Sequence, residues 1–226
     1  MKPLYLSLIC LVLVFSCKSD KEKTKVLEEQ NEVSIAKKIA NAHGFNNWQN
    51  VSEINFTFNV DQNNIHFERS WSWNTRTDAV WSAIEKDTTN YSRKKLDSLT
   101  ISLDKKFVND KFWLLVPFQL AWDTSATISK PKKAESPISK EPLDMITITY
   151  PNEGGYTPGD AYDIYFDESF LIREWVFRKG NSKEPSLTTT FENYKDYKGI
   201  KIATTHKKAD GEWNLNFTNV SITLDH

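Results

Sequence analysis

The chain has 226 residues, 39% of them hydrophobic, a length that holds one domain or two small ones around a packed core. Its formal net charge of −1 leaves no basic excess to neutralise phosphates, which excludes general nucleic-acid binding. Aromatic residues make up 13% and include 8 Trp, more than a core of this size commonly needs.

Lys2 gives the chain a positive start, and Leu4 to Phe15 are apolar apart from Ser7. That run falls short of the ~20 residues a spanning helix requires and has the flanks of a secretory signal. The quartet Val14-Phe15-Ser16-Cys17 resembles the lipobox of bacterial lipoproteins, with Phe15 bulkier than usual at its place. The resemblance implies a lipoprotein signal peptide over residues 1–16 and cleavage before Cys17. The Cys17 thiol would carry a diacylglyceryl group and its new amine an acyl chain such as palmitate. Two or three chains at ~0.8 kcal/mol per buried methylene make a stable anchor, where one would be marginal. Cys17 is then a lipid-attachment site and not a catalytic thiol; the alternative is an ordinary signal with an incidental cysteine. Cys10 leaves with the signal, so packing without disulfides must hold the exported domain. Lys18 stands where some bacteria place the aspartate that retains lipoproteins in the inner membrane, which points to the outer membrane.

Residues 17–32 are charged and read as a solvated tether, followed by a single domain over 33–226. A helix is expected from about Val33 to His43, because Ile35, Ala36, Ile39 and Ala40 recur at helical spacing, with Gly44 as its stop. The period then changes to 2. Ile54, Phe56, Phe58 and Val60 alternate with polar residues, Asp61 to Asn64 form a turn, and Ile65, Phe67, Trp71 and Trp73 share a face that also carries Arg69. This is a hairpin, with a third strand over Ala79 to Ile84. Leu103 to Leu115 reads as a helix whose apolar stripe Asp110 interrupts, ended by Pro117. Ser129 to Pro142, with three prolines and four lysines, reads as an exposed loop.

From Met145 onward alternating strands follow one another across polar turns. In the last, Trp213, Leu215 and Phe217 share one phase, whereas Val220, Ile222 and Leu224 take the other. A slip of one residue near Asn219 reads as a β-bulge, which bends a sheet. Meandering antiparallel strands with two helices imply one curved sheet, mainly β, with the helices against a single face.

The run AYDIYFDESFLIREWVFRKG, then TTTFENYKDYKGIKIATTHK and LNFTNVSI, resembles the outer-membrane lipoprotein-sorting superfamily, which includes the periplasmic lipoprotein carrier and its outer-membrane receptor. FWLLVPFQLAWD is similar to an aromatic-Trp-Leu-x-x-Pro-aromatic segment of exported relatives of that group. The resemblance covers Phe107 to Leu224. It implies an incomplete β-barrel, a strongly curved antiparallel sheet whose concave face is covered by helices, with acyl chains held between the two. A soluble carrier has no anchor, so Cys17 sets this chain beside the membrane-tethered members.

Aromatic side chains on one sheet face suit acyl chains, because apolar contact is non-directional and gains about 25 cal/mol per Å². The candidates for a hydrophobic-ligand pocket are Phe56, Phe58, Phe67, Trp71 and Trp73 from the hairpin, with Trp113 and Trp122 from the covering segment; the alternative is a closed core. His43 beside Gly44 reads as a helix-end partner of the backbone dipole rather than a catalytic group. Asp160, Asp163 and Asp167 read as turn caps and a solvated face rather than metal ligands. No phosphate loop, zinc spacing or nucleophile elbow is present. The expectation is a monomeric, non-catalytic envelope lipoprotein, without cofactor or metal, that binds a lipid, lipoprotein acyl chains or another hydrophobic ligand. The alternatives are a glycan-binding module with Trp71, Trp73 or Trp81 as a sugar platform, a scaffold, or an enzyme acting on envelope lipid or glycan.

Overall fold

The computed structural model describes residues 33–153 and 157–225; the expected signal peptide, the tether and Cys17 lie outside these residues. Ser34–His226 is one compact unit. It begins with helix α1 (Ile35–Ala42), capped by Ser34, whose hydroxyl accepts the Lys37 N–H at 3.3 Å. Ala36, Ile39 and Ala40 form its buried face. Gly44 stops the helix in the left-handed region at φ 95°, and a Cβ there would meet the Gly199 carbonyl oxygen at 1.9 Å. The Lys201 N–H donates to the His43 carbonyl at 2.9 Å, so this contact ties the end of α1 to the sheet. Gly44→Ala combines strain with a backbone clash, and an expected loss of about 2–3 kcal/mol in urea unfolding would show it.

Strands β1 (Val51–Gln62) and β2 (Ile65–Asn74) form the expected hairpin. Asn63 and Asn64, both at positive φ, make its two-residue turn. Phe56 lies opposite Trp71, Ile54 opposite Trp73 and Phe58 opposite Arg69, all on the inner face. Strands β3 (Ala79–Ile84) and β4 (Asp87–Ser92) extend the sheet, and a long helix, α2 (Thr100–Trp122), follows. The later strands are β5 (Thr127–Ile128), β6 (Lys132–Glu135), β7 (Pro142–Thr149), β8 (Ala161–Phe166), β9 (Ile172–Arg178), β10 (Leu187–Thr190), β11 (Glu192–Tyr197), β12 (Ile200–Lys207) and β13 (Trp213–Leu224).

One antiparallel sheet has the order β11-β12-β13-β1-β2-β3-β4, the other β10-β9-β8-β7-β5, with β6 also on β7. β10 and β11 are one run of chain through Phe191, whose N–H still donates to Arg173 in β9, so the run passes from one sheet into the other. β4 and β5 end the order without pairing to each other, so the curved sheet stays open. α2 lies within the curve. Its Phe107 ring contacts Trp71 and Trp73 of β2, while Trp113 contacts Trp175 of β9 and His206 of β12.

The phase slip in β13 has the expected cause. Thr218 pairs with Thr57 and Ser221 with Asn55, so β13 carries one extra residue, with Asn219 at φ 51°. The bulge turns both Phe217 and Ile222 inward, opposite Phe58 and Ile54.

Two expectations are corrected. Pro117 does not end α2; the helix continues to Trp122 across a break at Leu115 (φ −121°, ψ 23°). Proline costs a backbone hydrogen bond and kinks the helix, but the continuation buries Val116, Phe118 and Leu120, which offsets that cost. Residues 129–142 are not all loop, because Lys132–Glu135 pairs with β7 as a short lysine-bearing edge strand. The next turn is held by buried Glu174, whose carboxylate accepts the Ile138 and Ser139 N–H groups at 2.7 and 2.8 Å.

Candidate ligand cleft

Between the first half of α2 and the β8–β10 face lies a cleft of about 570 Å³. From α2 it receives Asp104, Lys105, Val108, Asn109, Phe112 and Trp113, a set spaced to share one helix face. The facing wall is a cross-strand row: Tyr162 of β8 lies opposite Phe177 of β9, which lies opposite Leu187 of β10. The next row along is Ile164, Trp175 and Thr189. Phe112 approaches Tyr162 at 5.2 Å between centroids, Tyr162 stacks on Phe177 at 5.1 Å, and Trp113 meets Trp175 edge-on at 4.3 Å. Thr157 and Asp160 complete the rim; the Tyr162 hydroxyl donates to Thr157 at 3.2 Å, and Asp160 accepts the Gly180 N–H at 2.8 Å. The cleft is apolar in its walls and polar at its rim.

Two ion pairs hold the first half of α2 to the other sheet. Asp110, fully buried, accepts Arg69 Nε at 2.7 Å, Trp71 Nε1 at 2.8 Å and Asn109 Nδ2 at 3.0 Å. Burial pushes its carboxyl up, and the Arg69 bonds oppose that shift. The Arg69 guanidinium also lies over the Phe58 and Phe67 rings at 5.0 and 4.8 Å. Asp104 accepts Arg93 Nε at 2.8 Å and the Tyr91 hydroxyl at 3.1 Å. Lys111, next to Asp110, is buried with its ammonium 5.0 Å from the Trp73 ring, and burial pulls its pKa down to about 7.

The seven aromatic candidates divide into three groups. Trp113 lines the cleft. Phe56, Phe58, Trp71 and Trp73 are buried behind α2, while Phe67 is 37% exposed at the edge of that group. Trp122 joins Trp48 (4.8 Å), Phe45 and Phe118 in an aromatic cluster where the second half of α2 meets the Phe45–Asn50 turn. Sequence reading did not single out Phe112, Tyr162, Trp175 or Phe177; for the last three the alternation of AYDIYF and REWVFR was the signal. Of the three tryptophans weighed as a sugar platform, Trp71 and Trp73 are buried and Trp81 is 36% exposed on the outer face.

No family model matches the chain, and no curated protein does. Among solved structures it is similar to a LolA-superfamily protein from Nitrosomonas europaea, with 10% identity and a TM-score of 0.44 over 84% of this chain and 94% of that one. A DUF1329-family protein from Desulfovibrio piger gives 9% identity and a TM-score of 0.41, also over 84% and 94%. An outer-membrane lipoprotein-sorting protein domain from Vibrio parahaemolyticus gives 10% and 0.35, over 76% and 85%.

The other candidates have structural surroundings. His43 is fully buried: its Nδ1 donates to the Ile39 carbonyl at 2.8 Å, its Nε2 lies 3.2 Å from the Tyr194 hydroxyl, and burial holds its pKa down to about 4. Asp163 accepts Arg178 Nε at 2.9 Å, and Asp167 accepts Arg173 Nε at 2.6 Å and caps its own turn at Ser169. Among the described residues no group of His, Cys, Asp and Glu is arranged to hold a metal, and no helix is long and apolar enough to cross a membrane.

Proposed function

We propose that this protein is a cell-envelope lipoprotein, anchored through Cys17, that holds a lipid or other hydrophobic ligand in the cleft between α2 and the β8–β10 face. Binding is reversible and no bond is made or broken. The observation that carries this reading is the cleft itself: its volume of about 570 Å³ lies within the ~300–1,000 Å³ of small-molecule sites, and aromatic walls with a polar rim are what such sites use. Apolar walls at about 25 cal/mol per Å² retain a chain without fixing its orientation.

The break at Leu115 gives the first half of α2 a place to swing from the sheet. Phe56, Phe58, Trp71 and Trp73 lie buried behind the helix, and a longer ligand would reach them only on opening of the Arg69–Asp110 and Arg93–Asp104 pairs that hold its first half. At the N-terminal end of α2, Leu96, Leu99 and Ile101 are exposed beside Lys94, Lys95, Lys105 and Lys106. Apolar residues ringed by lysines suit an anionic lipid surface, and Lys105 also lines the cleft. The membrane is thus the expected partner, on the outer-membrane side of the envelope.

Displacement of a fluorescent fatty acid from residues 18–226 tests the reading. Trp113→Ala, which removes one wall, is expected to weaken the probe at least about tenfold, the equivalent of ~1.4 kcal/mol. Equal affinity in the variant, or no binding by the parent chain, overturns the proposal.

A further inference from the structure

The mouth of the cleft carries charge that its walls lack. Of the three charged residues that line it, Asp104 is already committed: it is buried and accepts Arg93 Nε at 2.8 Å and the Tyr91 hydroxyl at 3.1 Å. The other two are available. Lys105, on α2, is exposed, and Asp160, in the turn that leads into β8, is half-buried. Neither forms an ion pair, with the other or with any other described residue. Asp160 Oδ1 accepts the Gly180 N–H at 2.8 Å, which holds the carboxylate at the rim and leaves Oδ2 without a hydrogen-bond partner among the described residues. One cation and one anion therefore stand at the same mouth, one on the α2 side and one on the sheet side, each with spare bonding capacity.

Their chemistry narrows what can sit between them. The Lys105 ammonium offers donors and no acceptor, whereas an ionised carboxylate only accepts. An anionic group suits the first and an ammonium suits the second. The walls beyond are Phe112, Trp113, Tyr162, Trp175 and Phe177, which hold no counter-charge. A charged head group moved inward would be desolvated there without compensation. The head group is thus confined to the mouth, while the chain takes the aromatic walls. A purely anionic head meets Lys105 but is repelled by Asp160, and for a purely cationic one the signs reverse. A head group with both charges satisfies both residues.

We infer that the cleft takes a zwitterionic amphiphile, with its anionic group on Lys105, its ammonium on Asp160 and its apolar chain along the aromatic walls. The inference rests on the cleft being a hydrophobic-ligand site, and it adds the class of head group at its mouth. A primary ammonium fits better than a quaternary one, because it can donate a charge-assisted hydrogen bond to Asp160 Oδ2.

The test uses the full chain held in non-ionic amphipol and titration calorimetry at pH 7. Its probes share one acyl chain and differ in the head: lauroyl lysophosphatidylethanolamine, laurate and monolaurin. The zwitterion is expected to bind the parent chain most tightly. Exposed charge pairs contribute modestly, so Lys105→Gln should weaken the zwitterion and laurate by about threefold to fivefold. Asp160→Asn keeps an acceptor for the Gly180 N–H. It should weaken the zwitterion by a similar factor and tighten laurate by about twofold, because it removes a repulsion. Monolaurin should respond to neither variant. The opposite responses of laurate to the two variants are a pattern that a merely structural effect does not produce. A zwitterion that binds no tighter than monolaurin, that neither variant weakens, or that shifts in step with both other probes overturns the inference and leaves the cleft reading standing. If none of the three probes binds, the cleft reading fails and the inference fails with it.

Discussion

Replacing Asp110 with alanine is expected to cost about 3–5 kcal/mol, because it strips the partner from a buried charge. Arg69 keeps only 13% of its side chain in solvent, and it would lose a bidentate carboxylate while the Trp71 N–H loses its acceptor. For a domain of this size each kcal/mol lowers Tm by roughly 2–4 °C, so a fall of about 10 °C or more should appear in thermal unfolding. The double change Arg69→Met with Asp110→Leu removes both charges and is expected to recover most of the loss. That pattern separates a stranded charge from a simple loss of packing. A drop below about 1 kcal/mol in the single variant, within the span of ordinary substitutions, would mean that α2 is not latched to β2 by this pair.

Stability is also expected to fall as pH drops from 7 to 5. His43 and His206 are both held neutral by burial, each with its pKa lowered from 6.5 to about 4. The unfolded chain therefore binds more protons across that window, and the stabilisation present above 6.5 is lost as pH falls toward 4. At pH 5 the linkage amounts to roughly 2 kcal/mol for each histidine. His66 works in the opposite direction, since Asp61 and then Glu68 raise its pKa. It is fully exposed, and solvent screens its contribution. Lys111, with a pKa of about 7, sheds its share mainly between 10.5 and 7 and adds little slope below. Urea midpoints at pH 7 and pH 5 measure the effect. His206→Phe keeps a ring against Phe191, Trp113 and Phe217 and should remove about half of the slope. A flat profile, or an unchanged slope in that variant, would show that these imidazoles are not buried neutral.

Much of the fold was legible because its signals are local. Alternation at Ile54, Phe56 and Phe58 and the change of phase near Asn219 translate directly into the hairpin and the bulge. Arg69 on an apolar strand face and Asp110 in an apolar helix stripe each look like interruptions in the sequence. Folding brings them together, and each explains the other. Pro117 misled because its local penalty is outweighed by the long-range burial of Phe118 and Leu120, which no window of sequence contains. Lys132–Glu135 misled for a similar reason, since polar composition hides a strand whose pairing partner lies further along the chain. The cleft was legible by half. Trp113 could be singled out, but its facing row depends on the register of β8, β9 and β10 and on where α2 lies across them.

Native mass spectrometry of residues 18–226, purified without detergent from a bacterial envelope, addresses ligand binding most directly. A co-purifying amphiphile is expected, released by solvent extraction and absent from Trp113→Ala. A clean unliganded mass, with added fatty alcohol and phospholipid both failing to bind, would show that α2 and the β8–β10 face enclose no ligand site.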